Sequence, residues 1–478
     1  MQQSFKRKVL NSTIWSGVER FSTQIIQFLF NVLIARILLP SDYGIVAMLG
    51  IFLAVSQCFV DSGFSSALIR KNNRSEVDFS TVFYYNLFVS IFLYLILYLL
   101  SPIIANFYHQ PLLVKILRIS GLALIINAIS GVQHAKLSIA LDFKARAKIA
   151  MTCAIVSGSI GLILAYQKCG VWALVTQSLS YTFLCCVLLC LKVRWRPLFV
   201  FSYRSFKELF GFGSKILASS LIDTLYNNLY SLVIGKIFTP KALGLYSRAD
   251  SLAQFPSINI TNAIQNVAYP ALCSIKDNKI HLKSAYIKML RMSAFIVFPL
   301  MLGLSSVAKP FIHVVLTDKW IELSPYLKIL CFSLMWFPVQ SLNLSILQVE
   351  GRSDLFLKLE IYKKVIGVIT LCITIQFGLL AMCYGRLFNS FISLYLNSLY
   401  TKKIIHYGIT EQFKDILHIV IHAVIMFIIV SLVVRIIPNH AIKLLAGVTI
   451  GGVYYLLGAY IMKFSELFEI VSFIRNKS

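Results

Sequence analysis

A few charged residues stand inside apolar stretches of this 478-residue chain, and they are its best chemical pointers. Glu19 and Arg20 interrupt the first apolar segment, Lys215 and Asp223 the seventh, Arg248 and Asp250 the eighth, and Arg386 the twelfth. A charge at a bilayer centre costs about 2.5–3.5 kcal/mol on insertion scales, so such residues either pair with one another or serve ions and ligands. Arginine suits the second role, because its planar guanidinium makes two parallel hydrogen bonds to a phosphate or carboxylate. Arg20, Arg248, Lys215 and Arg386 are therefore candidates to bind a phosphorylated ligand in a cationic lumen. Lys215 is the weakest, since a long ammonium side chain can snorkel to the interface. The carboxylates of Glu19, Asp223 and Asp250 are suited to hold a coupling cation such as Na+, or to exchange H+ between conformations. The plain alternative for Arg20 and Arg248 is a structural ion pair with Glu19, Asp223 or Asp250.

Polar residues near these charges fall at helical spacing. Thr23, Gln27 and Asn31 follow i, i+4, i+8, Asp223, Asn227 and Ser231 occupy the equivalent places, and Lys215, Ser219, Asp223 and Asn227 at i, i+4 spacing share one face. Polar stripes on one helix face point to a bundle interior or an aqueous cavity. Ordinary hydrogen bonding between helices explains one such stripe equally well. Two in register, each near charge, favour a cavity. Asp61 reads as a cap or interface residue. His418 and His422 resemble half a metal site but have no third ligand, so a structural role is expected and no metal or other cofactor. Trp195, Tyr203 and Trp320 are expected in interfacial aromatic belts.

The elements that must hold these residues are membrane helices. The chain is 58% hydrophobic and 13% charged, with mean hydropathy +0.78, where a soluble domain carries roughly 25% charge. Fourteen apolar segments run from 10–39 to 441–462, each near or above the roughly 20 residues that span a bilayer core. The +26 net charge does not imply nucleic acid. Lys and Arg cluster in alternate loops, as at Lys144, Arg146 and Lys148 or at Lys402 and Lys403, which the positive-inside rule explains if both termini are cytoplasmic. The basic start at Lys6, Arg7 and Lys8 precedes a long, polar-spotted segment that reads as a first membrane helix, not a signal peptide. Ten cysteines form no CxxC pair, and most lie in apolar segments as small hydrophobes.

A repeat organises the segments. Ile34-Ala35-Arg36-Ile37-Leu38-Leu39-Pro40-Ser41-Asp42-Tyr43-Gly44 returns as Ile234-Gly235-Lys236-Ile237-Phe238-Thr239-Pro240-Lys241-Ala242-Leu243-Gly244. Pro would stop one helix and Gly would permit a tight turn into the next. The copies lie six helices apart, which implies a parallel repeat about an axis along the membrane normal. The expected organisation is all-α: an N-terminal lobe at 1–200, a C-terminal lobe at 201–405, and two extra helices with a tail at 406–478. No Walker A sequence is present, because Gly211-Phe212-Gly213-Ser214-Lys215 has the wrong spacing. The longest external connection, 309–323, is too small for a catalytic domain, so an enzyme is not expected.

Arg36-Ile37-Leu38-Leu39-Pro40-Ser41-Asp42-Tyr43-Gly44, followed by Asp61-Ser62-Gly63-Phe64-Ser65-Ser66-Ala67-Leu68-Ile69, resembles the N-terminal signature of Wzx-type polysaccharide exporters. Leu245-Tyr246-Ser247-Arg248-Ala249-Asp250 and Gly351-Arg352-Ser353-Asp354-Leu355 are similar to the subgroup that exports colanic acid-like and lipopolysaccharide repeat units. The resemblance implies the MATE-like flippase superfamily, with two six-helix lobes and two C-terminal helices. It implies a multi-pass protein of the bacterial inner membrane that flips undecaprenyl-pyrophosphate-linked oligosaccharide to the periplasmic leaflet. Its expected partners are that lipid-linked oligosaccharide, membrane lipid, and the glycan polymerase and glycosyltransferases of the same pathway. In related lipid II flippases a basic residue beside an acid on helix 1 and an arginine on helix 8 face the cavity. Glu19-Arg20 and Arg248 look like their counterparts, although here the acid precedes the arginine. A small-molecule/cation antiporter of MATE type is the main alternative, and a more acidic lumen would favour it.

Overall fold

The computed structural model describes residues 2–71 and 73–475. Among these residues the chain is α-helical, with two short 3-10 stretches (Asp318–Leu323 and Ile375–Phe377) and no strand. A chain this apolar satisfies its backbone best as helices, because each N–H then finds a carbonyl within its own segment. The chain divides into two compact units, Met1–Gly244 and Leu245–Ser478.

The first unit holds α1 (Gln2–Ile37), α2 (Pro40–Asp61), α3 (Phe64–Arg70), α4 (Glu76–Phe107), α5 (Leu112–Ser120), α6 (Leu122–Ile139), α7 (Phe143–Tyr166), α8 (Val171–Val193) and α9 (Tyr203–Ile237). Within it α1 packs on α7, α7 on α8, and α9 on α2. Ile34 and Leu38 meet Ala165, Ala173 and Leu174 in one buried cluster, and Phe64, Phe79, Val82, Val132 and Leu209 form another. The next helix, α10 (Pro240–Ser274), begins in the first unit and runs on into the second. There follow α11 (Lys279–Ser306), α12 (Ala308–Val315), α13 (Ser324–Leu334), α14 (Phe337–Val349), α15 (Ser353–Thr374), α16 (Leu379–Ile405), α17 (Ile409–Ile436), α18 (His440–Ile461) and α19 (Ser465–Arg475). In the second unit α11 packs on α17, α17 on α18, and α16 on α13, α14 and α15.

Ten helical segments among the described residues are long and apolar enough to cross a membrane. The long helices α9, α10 and α15 are not among them, and in α1 the stretch Phe21–Ile37 is apolar but shorter. Two of these, α9 and α10, carry Lys215, Asp223, Asn227, Arg248 and Asp250, so the same polar side chains singled out above also depress the hydropathy of their helices.

Several segments that read as single helices are broken. The 43–68 segment ends α2 at Ser62 (φ 39°) and Gly63 (φ 69°) before α3 begins. A Cβ at Gly63 would come within 2.8 Å of the Gly213 carbonyl oxygen on α9, so glycine is needed there for both conformation and space. The 309–323 connection is not an open loop, since α12 and a 3-10 stretch fill it. Trp320 lies in that stretch and is 0% exposed, so it is a core residue and not part of an interfacial belt. The 3-10 stretch packs on α12 and α13.

The repeat has a different purpose from the expected turn. Pro40 opens α2 and Pro240 opens α10, so the turns precede the prolines and both Gly44 and Gly244 are helical. A Cβ on Gly44 would lie 1.8 Å from the Pro240 carbonyl oxygen, and one on Gly244 would lie 1.7 Å from that of Pro40. The two copies therefore cross one another backbone to backbone, and glycine is required by that approach.

Candidate functional site

Tyr246, Asp250 and Gln254 stand four residues apart on α10 and so share a face. Asp250 accepts from Arg386 Nη1 on α16 at 2.6 Å and from Gln254 Nε2 at 2.7 Å. The same Arg386 nitrogen donates to the Tyr246 hydroxyl at 2.8 Å. Arg386 stands two turns into α16, a helix that is long and apolar enough to span a membrane. Arg248, two residues from both Tyr246 and Asp250 on α10, is buried at 8% exposure and so stands off the face that they share. The side chains of Asp250 and Arg386 stay 21% and 24% exposed, so the pair borders an accessible space.

A polar chain continues from Arg386 within the second unit. Its carbonyl accepts from the Ser333 hydroxyl at 3.3 Å, and Gln340 Nε2 donates to the Ser390 hydroxyl at 2.8 Å. Asn343 Oδ1 accepts from Tyr286, Thr401 and Gln412 at 2.9, 2.6 and 2.9 Å. Buried amides and hydroxyls satisfied in this way fix the register of α11, α14, α16 and α17.

In the first unit Glu19 pairs with Arg146 on α7, Oε1 to Nη2, at 3.2 Å. Arg146 Nη1 also donates to the Ser138 hydroxyl at 2.9 Å. Thr23 is buried, Gln27 and Asn31 are half-buried, and the Asn31 carbonyl accepts from the Tyr43 hydroxyl at 3.2 Å. The Arg20 side chain lies outside the described residues. On α9, Lys215, Ser219, Asp223 and Asn227 are all exposed.

The structure thus joins Asp250 to Arg386 and Glu19 to Arg146. Neither Arg146 nor Tyr246 was singled out in the sequence. Tyr246 has a detectable signal, its spacing from Asp250 and Gln254. Arg146 has none, because its partner is far away in sequence and its neighbours Lys144 and Lys148 read as loop charges. Outside the helices, Lys71 pairs with Asp78 at 3.1 Å and Glu208 at 3.0 Å. Desolvation opposes the shift, but these carboxylates raise its pKa on balance.

The two histidines have separate partners. His422 is buried with Nε2 at 3.1 Å from the Tyr455 carbonyl, and His418 lies 3.7 Å from Glu466. Trp195 Nε1 donates to Glu76 at 2.6 Å. The Gly351–Leu355 motif forms the turn into α15, where Arg352 pairs with Asp354 at 2.9 Å and Gly351 has φ 70°.

Comparison with known proteins agrees with this architecture. The lipid II flippase MurJ, in an inward closed conformation, superposes with a TM-score of 0.78 at 15% identity, covering 94% of this chain and 98% of that one. At that identity the likeness concerns the fold. The teichuronic acid biosynthesis protein TuaB of Bacillus subtilis is 27% identical over 360 residues, 74% of this chain and 73% of TuaB. The lipopolysaccharide biosynthesis protein WzxC of Escherichia coli is 25% identical over 368 residues, 75% of this chain and 74% of WzxC. A family model described as "Polysaccharide biosynthesis protein" matches residues 33–325. That match spans more than half of the chain, which therefore belongs to the polysaccharide biosynthesis protein family.

Proposed function

We propose that this protein is a flippase for undecaprenyl-pyrophosphate-linked oligosaccharide repeat units in the bacterial inner membrane. The observation that carries the reading is the Arg386 guanidinium held by Tyr246 and Asp250, with Arg248 buried on the same helix α10, in a chain with a MurJ-like fold. A pyrophosphate outcompetes a single carboxylate for guanidinium, so the ligand would displace Asp250 from Arg386 and release it. Freed Asp250 then takes up H+ or Na+, which couples the ligand to the ion; Glu19 and Asp223 are the further coupling candidates. Arg20, Lys215 and the stripe of Thr23, Gln27, Asn31 and Asn227 are the further candidates to meet the ligand.

The prenyl tail needs a different surface. An apolar cavity of about 620 Å³ is walled by α11, α17 and α18, from Pro299 and Gly303 to Gly447 and Gly451. It would hold part of the tail while the head group stays in the lumen. The repeats at 1–200 and 201–405 would rock about the bound head group, with 406–478 serving the tail and both termini cytoplasmic. The chain would act on its cargo without changing its covalent structure, and the glycan polymerase and glycosyltransferases of the pathway would work beside it.

The test is deletion of the gene in its own host, with lipid-linked oligosaccharide quantified on each leaflet. Accumulation on the cytoplasmic leaflet is expected, and wild-type protein but not Arg248→Glu at equal abundance should reverse it. An unchanged leaflet distribution together with lost resistance to cationic drugs would sink the reading in favour of a MATE-type antiporter.

A further inference from the structure

A second, smaller cavity lies in the Leu245–Ser478 unit, away from the guanidinium cluster. Its volume is about 420 Å³, and α10, α14 and the start of α15 line it. Gln265, Asn266, Ser341 and Ser345 supply polar groups, and Tyr269 and Phe356 supply aromatic faces. None of the residues lining it is charged. Gln265 is held in place from both sides of its amide. Its Nε2 donates to the Ser341 hydroxyl at 3.0 Å, and its Oε1 accepts from the Ser345 hydroxyl at 2.7 Å. These bonds use one N–H and one lone pair, leaving one of each for a ligand. Asn266 and Tyr269 are exposed beside it.

We propose that this cavity is a sugar subsite, which takes a neutral hexose unit of the oligosaccharide head group. This inference rests on the flippase reading above and adds a second point of contact to it. A pyranose ring presents hydroxyls that both donate and accept, and amides are the side chains that answer with both functions on one planar group. Its C–H faces pack against aromatic rings, and Tyr269 and Phe356 provide two. An anionic group finds no cation in the lining to offset its desolvation. An apolar tail would bury the amides without partners, which costs about 1–3 kcal/mol for each group left unmade. A neutral, hydroxyl-rich ligand fits all three constraints.

The placement also suits the head group. Gln265 lies fifteen residues beyond Asp250 on α10, about 22 Å at the helical rise per residue. That separation is several pyranose rings long. One end of the head group, the pyrophosphate, would sit at Arg386 while a sugar further along reaches Gln265. The guanidinium cluster would then recognise any polyprenyl pyrophosphate, and the amide cavity would select those that carry glycan.

The experiment titrates detergent-purified full-length protein by native mass spectrometry with two probes. One is undecaprenyl pyrophosphate, and the other is the lipid-linked oligosaccharide extracted from the producing strain. Asn266→Ala combined with Tyr269→Ala is expected to weaken binding of the glycan-bearing lipid by about tenfold, the worth of roughly one hydrogen bond, and to leave undecaprenyl pyrophosphate unaffected. Gln348→Ala, an exposed residue of the same lining on α14, replaces the double variant if that fails to fold, with a smaller loss of the same kind. Equal losses for both probes, or no loss for either, overturn the subsite. Wild-type protein that binds the two lipids equally well also overturns it, while the flippase reading stands. Wild-type protein that binds neither overturns both.

Discussion

Arg386 and Asp250 meet at 2.6 Å, yet each keeps more than a fifth of its side chain accessible. A pair so placed is neither a surface bridge worth a few tenths of a kcal/mol nor a sealed interior pair. Screening through the accessible side limits the loss of either partner to about 1–2 kcal/mol, below the cost for a fully buried pair. Asp250→Asn and Arg386→Gln should therefore each lower thermal stability modestly. The double variant should recover most of it, because two neutral amides can hydrogen-bond where one lone charge could not. Transport should not recover with it, since the Arg386 guanidinium that would meet the pyrophosphate is gone. Thermal melting and leaflet assay on the same three variants check this, and joint recovery of stability and transport would reduce Arg386 to a structural role. Glu19 and Arg146 at 3.2 Å raise the same question on α1 and α7.

Element boundaries near the repeat were legible in sequence, but their reason was not. Pro40 and Pro240 mark where helices begin, and the pattern from Ile34 to Gly44 and from Ile234 to Gly244 locates both. The glycines look like turn residues, and only the structure shows that each faces the other copy's proline carbonyl at under 2 Å from a notional Cβ. A close crossing of distant segments leaves no local signature, and the same holds for Glu19 with Arg146 or Tyr286 with Asn343. Charged residues within apolar segments were found because they violate a local rule. Ordinary Tyr, Gln and Asn violate none, so Tyr246, Gln254 and the Asn343 network went unmarked. The crossing makes a specific prediction. Gly44→Ala and Gly244→Ala should each destabilise by about 1–3 kcal/mol or more, through forced separation of two backbones. Because both act at one crossing, the double variant should cost much less than the sum. Melting temperatures of the three variants measure this, and strict additivity would mean that the two glycines do not share a contact.

Over the whole molecule, hydropathy and helix length disagree about how the chain crosses the membrane. Ten helical segments are long and apolar enough, whereas α9, α10 and α15 are not, and in α1 the stretch Phe21–Ile37 is apolar but shorter. Yet α9 runs for 35 residues, about 52 Å of helix, well beyond the roughly 30 Å hydrocarbon core. Its polar residues Lys215, Ser219, Asp223 and Asn227 fall on one exposed face, as they would if that face bordered water and the remainder met lipid and protein. A helix lining an aqueous lumen fails an average taken around its whole circumference, so a low mean hydropathy does not show that it stays on one side. We expect α9 to cross, which places Ser202 and Lys241 on opposite sides. Single cysteines at these positions, in a chain whose native cysteines are replaced, can be labelled in intact spheroplasts with a membrane-impermeant maleimide. Lys241→Cys should react from outside and Ser202→Cys only after permeabilisation. Labelling of both before permeabilisation, or of neither, would place the two ends of α9 on one side and remove the polar face of that helix from the transport path.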